Sequence, residues 1–279
     1  MAISNFIPTL WSENLYSQLD AQYIGVKHCN REFEGEIKQK GSVVSIVGVG
    51  AVNVFDYSKD TDMSSPQTLS DSATSLVINQ AKAFNFQIDD IDRAQCTPKL
   101  MNQAMKVAAS ALAKTADTYI YSLYEKAGKT ITQAATTATN IIDQIIDART
   151  ELFKNNVADA NDIVIEVSPA IAALILKAKM NLSTDNSETL DCGCIGSVGG
   201  CRIYVSNNIA TESVTTPSAV TYHKCIARTK RAIAFAEQLS EINAYRPEKR
   251  FADAVKGLHL YGAKVVYPKE MVLLNLGIA

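Results

Sequence analysis

Residues 97–128 read TPKLMNQAMKVAASALAKTADTYIYSLYEKAG, and this stretch decides the fold. Thr97 is a good N-cap, and Pro98 suits the first helical position, where its missing N–H costs nothing. Apolar or small residues recur at Met101, Met105, Ala108, Leu112, Thr115, Tyr119 and Leu123. Steps of three and four keep one face buried. Gly128 stands where a left-handed C-cap would end the run. The pattern predicts a rod of roughly 45 Å from Pro98 to about Ala127. A helix that long reaches past one core and suits a spine on which separate lobes hang.

Working outward, residues 36–89 are β-rich. Val43–Val54 (VVSIVGVGAVNV) is β-branched on both faces and predicts a strand covered on both sides. A polar turn follows, DYSKDTDMSSPQTLSDS. In SLVINQAKAFNFQID, Leu76, Ile78, Phe84, Phe86 and Ile88 share one parity, while Asn79, Asn85 and Gln87 take the other. The two strands predict an extended hairpin, which needs a further surface to lie on. Before it, Trp11, Leu15 and Leu19 are spaced by four. This apolar arm either packs on its own domain or reaches a neighbouring subunit.

Residues 137–240 predict an α/β lobe. A helix from about Asn140 carries Ile142, Ile145, Ile146, Arg149, Leu152 and Phe153, and Asp162–Val167 (DIVIEV) is a strand. Ser168-Pro169 caps a helix with Ile171, Leu174, Ile175 and Ala178 on one face. Strands at Arg202–Ser206 and Ala232–Ala236 complete the lobe. Residues 241–279 return to β, with Leu258 and Leu260 alternating with His259 and Tyr261, and a last strand at Met271–Asn275. The long helix is the available cover for these late strands.

The chain has 279 residues, 47% hydrophobic and 20% charged, with a formal net charge of -2. That balance asks for no nucleic-acid or anionic-membrane partner. No stretch reaches the roughly 18 apolar residues of a membrane span. The N-terminus has no basic region ahead of an apolar run, so no signal peptide is read there. The six cysteines are then expected as thiols in a reducing compartment. His28, His223 and His259 lie far apart, and none sits in a nucleophile motif. The glycines of GCIGSVGG precede a strand, whereas phosphate loops follow one. Cys192, Cys194 and Cys201, with His223 and Cys225, are the metal candidates, but a one-residue spacing chelates zinc poorly. No catalytic, cofactor or metal residue is assigned. What remains is a rod, a hairpin, an apolar arm and a charged C-terminal stretch, the features of a contact-making subunit. The alternative is a cytoplasmic α/β enzyme or metal-binding protein using the 192–225 cysteines.

Seven stretches together resemble the major capsid (coat) proteins of tailed bacteriophages. They are NFIPTLWSENL at 5–15, REFEGEIKQKGSVVSI at 31–46, FDYSKDTDM at 55–63, INQAKAFNFQIDDIDRAQ at 78–95, ALAKTADTYI at 111–120, IYVSNNI at 203–209 and INAYRPEKRFADAVKGLHLYGAKVV at 242–266. Their order carries the match, since no one of them is diagnostic. The resemblance implies an α+β fold of the Hong Kong 97 type. Its parts would be an N-terminal arm (1–35), an extended loop (36–90), a peripheral domain with the spine helix (91–136), an axial α/β domain (137–240) and peripheral C-terminal strands (241–279). It implies self-assembly of hexamers and pentamers into an icosahedral shell around packaged double-stranded DNA, which the shell contacts non-specifically. Assembly is expected in the host bacterial cytoplasm, with a portal and, because the arm starts so near Met1, a separate scaffolding protein. No membrane is involved. The DCGCIGSVGGC stretch departs from the family pattern. Candidate inter-subunit contacts are Trp11 and Leu15 in the arm, Phe55, Tyr57 and Lys59 in the loop, and Arg246, Glu248, Lys249, Arg250 and Asp253 in the charged stretch.

Overall fold

The computed structural model describes residues 15, 18–32, 43–49, 56, 59, 62, 71–89, 100–157, 159–178, 194–215, 219–248 and 251–278. Its strands are β1 (Val43–Val49), β2 (Asp71–Val77), β3 (Gln80–Asp89), β4 (Lys129–Gln133), β5 (Ile163–Val167), β6 (Cys194–Val198), β7 (Cys201–Val205), β8 (Thr211–Val214), β9 (Val220–Thr229), β10 (Ile233–Tyr245), β11 (Ala252–Val265) and β12 (Met271–Ile278). The α-helices are α1 (Leu100–Tyr121), α2 (Ile141–Lys154) and α3 (Pro169–Lys177). Among the described residues, no helix is long and apolar enough to cross a membrane.

The spine helix exists, but its α-helical part ends at Tyr121, earlier than its periodicity predicts. α1 has 22 residues, about 33 Å, and Ser122–Lys126 tightens into a 3-10 turn. Thr97 and Pro98 lie outside the described residues. The buried face also turns relative to the expected one. Met105, Ala109, Leu112, Ala113, Ala116 and Ile120 are buried, whereas Ala108, Thr115 and Tyr119 lie at its margin. Gly128 is not a left-handed cap. Its N–H donates to the carbonyls of Pro268 (2.8 Å) and Met271 (3.1 Å), and a Cβ there would stand 2.5 Å from the Pro268 oxygen. Close backbone approach explains this glycine.

Three sheets organise the chain. β1 and β2 form an antiparallel hairpin running from Val43↔Val77 to Val49↔Asp71. β10, β11 and β3 form a second sheet in that order. The third has the order β4-β12-β9-β5-β7-β6, with β8 attached to β9. The expected single strand through 75–89 is thus two strands. Only β2 belongs to the hairpin, while Phe84, Phe86 and Ile88 pair with β11. The last strand is a second correction: β12 does not extend the late sheet but lies between β4 and β9 in the large one. Residues 232–236 move the other way, into β10.

The three-stranded sheet is covered on both faces. On one side Phe235, Tyr261, Ala263 and Val265 pack with Leu112, Ala116 and Ile120 of α1. On the other, Ala234, Ala236 and Leu260 meet Val44, Ile46, Leu76 and Ile78 of the hairpin. Gly262 lets the hairpin settle there, because a Cβ would stand 2.4 Å from the Val77 oxygen. The hairpin base therefore lies on its own subunit, and only one of its faces is buried; Val43 is 60% exposed. In the large sheet, Ile165, Ile203, Ala227 and Leu274 pack under Ile145, Leu152, Ile171 and Ile175 of α2 and α3. Ser168 caps α3 by accepting from the Ile171 N–H. Val198 pairs with Cys201 across Gly199 and Gly200, whose φ of 59° and 85° make the two-residue hairpin turn that right-twisted strands favour.

Candidate functional site

The arm segment 18–32 sits where the two larger sheets and the spine helix meet. Leu19, Tyr23, Val26 and Cys29 are buried among α1, Ile226 of β9 and Phe235 of β10. Three buried polar contacts hold it. Asp117 of α1 accepts from the Ile24 and Val26 N–H groups at 3.1 and 3.0 Å. Burial pushes its carboxyl up to about 6, although those two hydrogen bonds pull the other way.

Arg228 of β9 is fully buried. Its Nε and Nη2 donate to the two carboxylate oxygens of Glu166 on β5, both at 2.9 Å. The remaining donors go to the arm: Nη1 to the His28 carbonyl (2.7 Å) and Cys29 Sγ (3.3 Å), Nη2 to the Gly25 carbonyl (2.8 Å). All five guanidinium donors are thereby used.

Glu237 of β10 is the third anchor. One oxygen takes Arg31 Nη2 at 2.7 Å. The other takes the Tyr23 hydroxyl and His259 Nε2, the latter at 2.8 Å. Burial and the carboxylate charge hold the Tyr23 phenol far above its ordinary value, so it stays a donor.

His28 faces the opposite environment. Its ring lies against Tyr204 at 4.2 Å between centroids. Burial, then Arg228, Lys27, Lys230 and Arg202, lower its pKa to about 3. A folded-state pKa below the unfolded value means that the native chain binds fewer protons. Stability is therefore full above about pH 6.5 and falls as pH drops toward 3. Between pH 7 and pH 4 the wild type should lose about 1–3 kcal/mol more than His28→Phe, which keeps the ring contact without a titrating nitrogen. Thermal melts of both proteins at the two pH values check this. Equal losses would rule His28 out as the acid-sensitive group.

The sequence-derived contact residues fall into three groups. Trp11, Phe55, Tyr57, Lys249 and Arg250 lie outside the described residues. Leu15 is corrected: it is fully buried in its own chain with Met105, Ala109, Ile242 and Val255. The amphipathic spacing that marked it was a packing signal. Lys59 is exposed. Arg246 and Glu248 follow β10 and Asp253 lies at the start of β11, so the Tyr245↔Ala254 pairing brings all three to the distal turn of the β10–β11 hairpin. Sequence reading missed Phe251 in that turn, which is 82% exposed, and Tyr245 beside it at 39%. An aromatic within a charged run was the available signal. It also missed Glu166, Arg228 and Glu237, each a charge set among apolar neighbours in its strand.

The cysteine alternative meets a geometric obstacle. Cys201 and Cys225 are both buried in the apolar core under α2 and α3. The register puts them two strands apart and four residues offset, on the order of 15 Å. One zinc cannot bridge that span. Burial pushes the Cys225 thiol up to about 12, so it is also a poor nucleophile. Among the described residues, no three His, Cys, Asp or Glu side chains cluster as a metal site would require.

A spine helix crossing one sheet, a hairpin laid on that sheet and a separate α/β lobe define the Hong Kong 97-type capsid fold. The family model described as phage capsid protein matches residues 73–274. A chain in the solved structure of Mycobacterium phage Che8 is 31% identical, with 91% of each chain covered and a TM-score of 0.68. The capsid of cyanophage P-SCSP1u gives 16% identity over 90% of this chain and 87% of that one, with a TM-score of 0.65. The virus-like particle from Pyrococcus furiosus shares the fold at 12% identity, covering 96% and 99%, with a TM-score of 0.56. No curated protein matches. The chain belongs to the phage capsid protein family, and as a major capsid protein it builds a phage head shell.

Proposed function

We propose that the subunit forms the hexamers and pentamers of an icosahedral head around double-stranded DNA and works through contacts, without catalysis. Assembly takes place in the host bacterial cytoplasm, with a separate scaffolding protein and a portal. The peripheral domain comprises the spine helix with β3, β10 and β11. The axial domain comprises 137–229 with β4 and β12; the arm links the two, and the hairpin lies on the peripheral sheet. The observation that carries this reading is the distal turn of β10–β11. It presents Phe251, 82% exposed, between Arg246, Glu248 and Asp253. An aromatic anchor rimmed by charges of both signs is the composition of a protein–protein contact. A closed symmetric assembly uses such a patch once per copy.

The test combines Phe251→Asp with charge reversal at Arg246 and Glu248. Electron microscopy should show shells for the wild type and few or none for the variant. The melting temperature of the unassembled chain should change little, because exposed pairs are worth about 0–1 kcal/mol. Normal shells from the variant, or a matching loss of stability, would reject the turn as a subunit contact.

A further inference from the structure

A cleft of about 380 Å³ lies between α1 and the edge strand β3. Its walls include Gln80, Lys82, Lys114, Thr118, Ser122 and Tyr261, and among the described residues no carboxylate lines it. Both lysines are exposed, and neither makes an ion pair among the described residues. The sole acid of α1, Asp117, is buried on the arm side and committed to backbone N–H groups.

The hydroxyls divide into two kinds. Thr118 donates to the Lys114 carbonyl, Ser122 to the Tyr119 carbonyl, and Tyr119 to Asn79 Oδ1. Tyr261 differs: its side chain is 1% exposed and its hydroxyl has no partner. A buried donor left unpaired costs free energy, and native proteins rarely leave one so without a reason. Burial, then Tyr119, pushes this phenol up to about 12, so it carries its proton at neutral pH.

Two unpaired ammonium groups, an idle hydroxyl donor and no acid make a site for an anion of nucleotide size. We propose that this cleft takes a phosphate of the DNA backbone, with Lys82 and Lys114 as the cationic contacts and Tyr261 as the neutral donor. The inference rests on the head-shell reading and names the surface through which the subunit touches its cargo.

The experiment uses the full-length unassembled chain and a fluorescent DNA duplex across a salt series, beside electron microscopy of each variant's shells. Lys82→Glu with Lys114→Glu should weaken duplex binding at least tenfold at 150 mM salt. Losing two phosphate contacts should lower the slope of log affinity against log salt by about 1.8. Tyr261→Phe should weaken binding about threefold with no loss of melting temperature, which a purely structural tyrosine would not do. Reversing two exposed lysines elsewhere, Lys177 and Lys269, keeps the net charge matched. Equal weakening by that pair would show a general charge effect and overturn the site. So would unchanged duplex affinity in the cleft variants, even if inorganic phosphate binds the wild type alone by phosphorus NMR, since the ligand would then be free phosphate. Normal shells from the cleft variants leave the head-shell reading intact whichever way the DNA result falls.

Discussion

Arg228→Ala should destabilise the subunit by about 3–5 kcal/mol, lowering its melting temperature by on the order of 10 °C. The change removes a bidentate partner from Glu166, which is 0% exposed like Arg228 itself. The Glu166 carboxyl, whose pKa burial already raises, would lose its charge partner between β9 and β7 and be driven further toward the neutral form. The His28 carbonyl would lose its donor in the same step, and the Gly25 carbonyl would keep only the His28 N–H and the Cys29 thiol. Arg228→Lys should fall between the two, because an ammonium has three donors and no planar fork to span both carboxylate oxygens. Arg228→Met with Glu166→Leu separates desolvation from attraction. Removing both charges should cost clearly less than removing the arginine alone, since most of the single-variant loss is the stranded carboxyl. Calorimetry of the three variants decides. A double variant as unstable as Arg228→Ala would mean that the arm carbonyls, rather than Glu166, carry the arginine's value.

That cluster also shows what was legible in the sequence. Periodicity reports how a residue faces its own element, so the spine helix and the Ser168-Pro169 cap could be read directly. It does not report which element lies opposite. The alternation of β2 continues in the same parity into β3, although the chain changes sheets between Val77 and Gln80. Nothing in the local pattern marks that exchange of partner. β12 reads as an apolar strand next to β11, yet the turn at Pro268–Glu270 returns it to the other sheet. The arm was ambiguous for the same reason, since Leu15 and Leu19 would look alike on either subunit. Glu166 and Arg228 are 62 residues apart, and each is only a local anomaly until the sheet makes them neighbours. The contact surface was legible as composition, a charged run in a β segment. Its shape depends on the Tyr245↔Ala254 pairing, which turns that run into one exposed tip.

Glu237→Gln tests whether the arm is latched to the peripheral sheet, and about 2–4 kcal/mol of stability should be lost. Glu237 is 3% exposed and receives three donors, from Tyr23 and Arg31 of the arm and His259 of β11. Glutamine keeps the volume but offers one acceptor oxygen in place of two, and its amide brings two further donors into a site already crowded with them. Arg31 is 24% exposed and already pairs with Asp20 through Nη1, so its own loss is partly relieved by that partner and by water. Tyr23 has no such exit, being 3% exposed in the junction core. The arm should therefore peel away from the Tyr23 end, and the effect should be local before it is global. Trypsin reports this directly, because Lys27 and Arg31 lie within the docked segment. Cleavage at those two residues should rise at least tenfold in Glu237→Gln, while sites in α2, α3 and the sheet they cover keep their protection. Uniformly faster cleavage throughout the chain would instead place Glu237 in the common core and deny the arm a separate latch.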